Sequence, residues 1–312
     1  MTPWPRLTLP TASPTESPTA LPPADAARPA PRQPVPPFVT HASGLQSLHF
    51  TLSELQSCMA VARPWQLAVD YTRTMMAFLL LQPQPARIAM VGLGGGSLAK
   101  FCFRHLPMAQ ITVLEINPHV IALRRVFGVP DDDARFRVIE GDGAAWLADR
   151  AGDITGDRAG DVADEITGDR AAEPGQGGAF DVLLIDGFDH EGQCPALCTQ
   201  AFYDDCARLL APGGALVVNL HADDADFALW AARIRRSFAG NAVELPSVEK
   251  SNCILLACRA DDAAPGLKAL SPRGLSLQRA LQGLQQLEAL ERQPLKAELA
   301  RVLWLMKDLR AD

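Results

Sequence analysis

The stretch RIAMVGLGGGSLAKFCFRH, residues 87–105, decides the fold. Its first part is a nearly unbroken apolar run that ends on Gly92, Gly94, Gly95 and Gly96, and from Ser97 to His105 the spacing becomes helical. A strand, a glycine turn and a helix in that order set the unpaired N–H groups of a helix start beside backbone that a ligand can approach closely. The arrangement is the first unit of a nucleotide-binding α/β domain.

Outward from this unit the chain alternates strand and helix. Strands are expected at 110–116, 135–142, 179–187, 214–221, 242–246 and 252–259, with helices at 118–127, 143–150, 199–210 and 224–237. Runs rich in Val, Ile and Leu that alternate with helices imply a mostly parallel sheet covered on both faces, a doubly wound Rossmann-like architecture. Right-handed crossovers then bring every parallel strand's C-terminus to one edge, where ligands bind.

That edge collects the candidate site. Glu115 ends the second strand about twenty residues past the glycines, where a carboxylate accepts both ribose hydroxyls of an adenosine; Ile116 follows it. Asp142, in IEGDG, ends the third strand, where a carboxylate accepts from an adenine amino group, and Gly143 follows it. Asp186 ends the fourth, with Asp189 three residues later in LLIDGFDHEG. Two carboxylates in one mouth attract an ammonium, take a proton from it, or orient its lone pair. Tyr71, after Asp70 in LAVDYTR, and Tyr203, in QAFYDDC, are further candidates to line the pocket. Asp70 followed by an aromatic is also an ordinary helix-start signal.

The remainder of the chain bounds the function. There are 36 acidic against 29 basic residues, a net charge of -7, and no Lys/Arg block long enough to track a phosphate backbone, so nucleic acid is not the expected partner. Seven cysteines without a regular framework point to a reducing compartment, and Cys194 with Cys198 lacks the partners of a zinc site. No metal or prosthetic group is expected. The start MTPWPRLTLP is unlike a signal peptide and no segment is long and apolar enough for a membrane span, so a cytoplasmic protein with no membrane partner is expected.

Four regions follow. Residues 1–40 form a tail expected to be disordered, with twelve prolines by residue 37. Residues 41–84 form a segment on the substrate side, read as helices at 52–61 and 66–81 broken at Pro64. Residues 85–262 form the nucleoside-binding domain, interrupted at 151–178 by a surface insertion in which DITGDRA, 153–159, returns as EITGDRA, 165–171. Residues 263–312 form a helical hairpin with Pro294 near its turn, whose apolar stripe is buried against a partner subunit in a homodimer or against the chain's own core.

With these residues assembled, the chain resembles the spermidine and spermine synthase family of aminopropyltransferases. The resemblance covers roughly 45–260 and is carried by GLGGG, LEIN, EGDG, LLIDGFD and AFYDDCARLLAPGG in that order. It implies the class I S-adenosylmethionine-dependent methyltransferase fold, a mostly parallel seven-stranded sheet, here with a C-terminal helical extension. It also implies transfer of an aminopropyl group from decarboxylated S-adenosylmethionine to a small amine such as putrescine. In that reading Glu115 holds the ribose, Asp142 the adenine edge, Asp186 orients or deprotonates the attacking amine, and Asp189 and Tyr71 complete the pocket.

Three positions depart from the family pattern. Gly95 stands where the family has an Asp that contacts the donor's amine, His190 replaces a proline, and TRTM follows Tyr71. Two alternatives stay open: a methyltransferase using intact S-adenosylmethionine, and a non-catalytic nucleoside-binding protein.

Overall fold

The computed structural model describes residues 30, 32–52, 55–155, 180–249, 251–260, 275–282, 284 and 287–308. The proline-rich tail up to residue 29 and most of the duplicated dodecamer lie outside the described residues.

The central sheet has seven strands: β4 (Arg87–Val91), β5 (Gln110–Glu115), β6 (Phe136–Glu140), β7 (Phe180–Ile185), β10 (Leu210–His221), β11 (Ala242–Pro246) and β12 (Asn252–Cys258). Their order is β11-β12-β10-β7-β4-β5-β6. Neighbours from β6 to β10 pair in parallel, and β12 runs antiparallel to both β10 and β11. This is the mostly parallel seven-stranded α/β fold expected from the sequence. β4 is paired with β5 on one side and β7 on the other, so the winding reverses there and a crevice opens beyond the carboxyl ends of these strands.

Helices cover both faces. They are α2 (Ser97–His105), α3 (Pro118–Ala122), α4 (Gly143–Thr155), α5 (Gln200–Leu209) and α6 (Phe227–Ser237). One apolar cluster joins Met90, Phe101, Val113 and Phe136 to the N- and C-terminal segments, and a second joins Leu183, Phe202, Val218 and Ile234. The sheet lies between them, which is why its strands are apolar on both faces. α4 continues to Thr155, so the first residues assigned to the surface insertion are helical, with Ala151 buried.

The N-terminal segment departs most from expectation. Where helical spacing over 52–61 predicted a helix, the chain forms β3 (Leu55–Ala60), paired antiparallel with β2 (Leu45–His49), which pairs with β1 (Phe38–Ala42). Polar residues on the buried face hide its alternation. Gln46 is buried because its amide donates to the Val126 carbonyl at 2.7 Å, and Ser57 is buried beside the glycine turn. The second expected helix is shorter, α1 (Asp70–Met75) followed by a 3₁₀ turn (Met76–Leu80).

At the C-terminus, the two helices are α7 (Leu277–Gln282), shorter than the apolar spacing suggests, and α8 (Ala289–Asp308). Pro294 lies inside α8, not at the turn, and as the sixth residue of the helix it forgoes one intrahelical N–H bond. Leu295, Leu299, Val302 and Met306 enter the first apolar cluster, and Glu298 accepts a hydrogen bond from Thr74 on α1. The apolar stripe is therefore buried against the chain's own core. Among the described residues no helix is long and apolar enough to cross a membrane.

Candidate active site

A cleft of about 350 Å³ opens over the switch point between β4 and β7. Its lining includes Gly92, Gly94, Glu115, Ile116, Asp142, Gly143, Asp186, Asp189 and Tyr71, nine of the residues expected from sequence. Gly95 and Gly96 stand behind this surface in the same turn.

The glycine turn is shaped by close approach. Gly92 has φ 96°, and a Cβ there would lie 2.2 Å from the Asp186 carbonyl oxygen, because the Asp186 N–H donates to the Val91 carbonyl at 2.9 Å. The turn and the β7 end are thus fixed to one another. Gly95 is closed differently: a Cβ would meet Ser57 Oγ at 2.6 Å and Phe127 Cδ1 at 2.9 Å. Ser57, brought by β3, fills the space beside the position where the family carries an acid.

Glu115 ties two turns together. Its Oε2 accepts the Leu93 N–H and its Oε1 the Asn117 N–H, each at 2.8 Å. Burial pushes its carboxyl above the ordinary range, and these backbone donors oppose the shift. Asp142 Oδ1 accepts from the N–H of Ala144 at 2.8 Å, so one oxygen caps the start of α4.

Asp186 is the most constrained group. The Tyr71 hydroxyl donates to its Oδ2 at 3.1 Å, and the Asn219 amide donates to its Oδ1 at 2.8 Å. Asn219 in turn accepts from the Asn252 amide at 2.9 Å, which fixes its orientation. Burial pushes the Asp186 carboxyl upward, while Asn219, Tyr71 and the nearby His221 pull it down. Burial, reinforced by Asp186, holds the Tyr71 phenol well above its ordinary value, so it remains a donor. Asp70, beside Tyr71, accepts the Tyr71 N–H at 2.7 Å and the Glu249 N–H at 2.9 Å, pinning the loop before β12 to α1.

Asp189 lies farther out on the short β8 (Phe188–Asp189) and β9 (Gly192–Gln193) hairpin. Its carboxylate takes the Glu191 N–H at 2.8 Å and the Arg32 guanidinium at 2.8 and 2.9 Å. Tyr203 is not in the pocket. Its ring is fully buried beside Phe202 in the second apolar cluster.

Sequence reading missed Arg32, Ser57, Asn219, Glu249 and Asn252, all on the cleft wall. Only Asn219 had a usable signal, a polar residue closing the apolar run of GALVVNLH. Among the described residues no group of His, Cys, Asp and Glu could hold a metal ion.

Fold and cleft together define an α/β protein of the class I methyltransferase-like type, with acids at successive strand ends. No protein-family model matches the chain. It is 31% identical over 241 residues to the polyamine aminopropyltransferase of Chromobacterium violaceum, covering 77% of this chain and 82% of the relative. The corresponding protein of Neisseria meningitidis serogroup A is 30% identical over 257 residues, covering 79% and 88%. A spermidine synthase solved with the transition-state analogue AdoDATO shares the fold, with a TM-score of 0.56, 15% identity and 84% of each chain covered. The chain belongs to the polyamine aminopropyltransferase family.

Proposed function

We propose that this protein transfers an aminopropyl group from decarboxylated S-adenosylmethionine to a small amine such as putrescine. The observation that carries the reading is the Asp186 carboxylate, held in the cleft by Tyr71 and Asn219 in a chain of this family. A protonated amine has no lone pair to attack with. A buried carboxylate with a raised pKa both attracts the ammonium and accepts its proton.

The amine nitrogen then attacks the aminopropyl carbon next to the sulfonium. The new C–N bond forms as the C–S bond breaks, and sulfur keeps the electron pair and leaves as neutral 5'-methylthioadenosine. The proton lost by nitrogen passes to Asp186. In this reading Glu115 receives the ribose hydroxyls, with Ile116 against the nucleoside. Asp142 takes the adenine amino group through its uncapped oxygen, next to Gly143. Gly92 and Gly94 let the donor approach the α2 start, and Gly95 and Gly96, behind the cleft surface, complete the turn. Asp189 receives the acceptor's far ammonium. The acids of the cleft suit a dicationic donor and a cationic acceptor.

The test is mass spectrometry after incubation with putrescine and equal amounts of S-adenosylmethionine and its decarboxylated form. 5'-Methylthioadenosine together with an aminopropylated amine is expected. S-adenosylhomocysteine would shift the reading to methyl transfer, and neither product to a binding role.

A further inference from the structure

The segment leading into β1 crosses the mouth of the cleft and delivers a cation to its outer carboxylates. Arg32 Nη1 bonds both oxygens of Asp189 at 2.8 and 2.9 Å, and its Nε reaches Glu191 Oε2 at 2.7 Å. Three residues on, the Val35 carbonyl accepts the Asn117 side-chain amide at 2.9 Å, next to the Glu115 end of the cleft. Arg32, Gln33 and Val35 all line the cavity. Pro34, Pro36 and Pro37 fix the backbone between and after these two anchors and remove its N–H donors, which favours an extended, stiff strap.

A guanidinium here lies where an acceptor's far ammonium would go. Both are cations, and Asp189 cannot hold a tight pair with each at once. The Arg32 and Asp189 side chains keep 30% and 24% of their surface in solvent, so the pair opens without exposing a core. A cation tethered a few residues from β1 competes at the high effective concentration of a short linker.

We propose that Arg32 is a built-in competitor of the acceptor, holding the Asp189 and Glu191 cation subsite until a second cationic centre on the acceptor displaces it. Arg32 then sets acceptor selectivity without touching the reacting atoms. A diamine bears the cost of displacing the strap, whereas a monoamine, which presents nothing to Asp189, does not. The inference rests on the amine-transfer reading above.

The test compares 1,4-diaminobutane with butylamine on the full-length protein, by calorimetric binding and by acceptor KM. Arg32→Gln should tighten diaminobutane roughly three- to tenfold, the factor released when a mostly closed state no longer taxes binding. Butylamine should change less than about twofold, because its binding does not require the strap to open. Arg32→Lys, which keeps the charge, should stay near the parent protein.

Unchanged diaminobutane affinity in Arg32→Gln would overturn the inference, and weakened affinity would instead make Arg32 a brace for the β8–β9 hairpin. Both outcomes leave transfer to putrescine by the parent protein standing. If neither protein binds or alkylates any amine, the functional reading fails and takes the inference with it.

Discussion

Asn219 and Asp186 are joined by a 2.8 Å hydrogen bond between the carboxyl ends of two adjacent parallel strands, β10 and β7. The bond favours the ionised carboxylate at a place where burial favours the neutral acid. Removing the amide by Asn219→Ala should therefore raise the Asp186 pKa further. Since transfer needs the carboxylate, the acid limb of the kcat profile should move to higher pH, and Tyr71→Phe should move it the same way. An unmoved limb in both variants would assign that limb to another group.

Asp186→Asn tests the proton acceptor itself. The amide cannot take the ammonium proton, and a loss of kcat on the order of 10²–10⁴ is expected. The ribose and adenine ends of the cleft are untouched, so calorimetric affinity for 5'-methylthioadenosine should hold. Loss of nucleoside binding along with transfer would show that the Asp186 side chain mainly holds the cleft wall together through Tyr71 and Asn219.

Glu115→Gln replaces an acceptor-only group that satisfies two backbone N–H donors. The amide's own N–H must face one of them, at a cost of about 1–3 kcal/mol in stability. Affinity for 5'-methylthioadenosine should fall roughly tenfold or more as a ribose acceptor is lost. A lower melting temperature with unchanged nucleoside affinity would leave Glu115 as a tie between turns only.

Gly95→Asp restores the family's acid but has no room for its Cβ, which meets Ser57 Oγ and the ring of Phe127, only 1% exposed. Overpacking of this kind costs about 1–3 kcal/mol. The urea midpoint should fall with the slope unchanged, and Ser57→Gly in the same chain should recover part of it. A midpoint equal to that of the parent would mean that Phe127 yields freely.

The strand ends explain how much of the site was legible. Glu115 and Asp186 each close an apolar run and Asp142 comes two residues after the end of β6, and in a parallel sheet such positions share one edge whatever the loops do. Asn219 occupies the same kind of position, yet an asparagine alone carries no chemistry until its partner is known. Arg32 had no signal at all. It lies in a proline-rich stretch, 157 residues from Asp189 in sequence, and only folding joins them.

By itself the sequence determined the seven-stranded α/β sheet and the edge on which acids gather. Those features follow from local periodicity and from the fixed hand of strand crossovers. The tertiary structure decided the rest. It made Leu55–Ala60 a strand, because Gln46 and Ser57 find partners that let polar residues be buried. It placed Tyr203 in the core, put Tyr71 on Asp186, and laid Arg32 across Asp189. Each of these depends on contacts between segments distant in sequence, which no local pattern encodes.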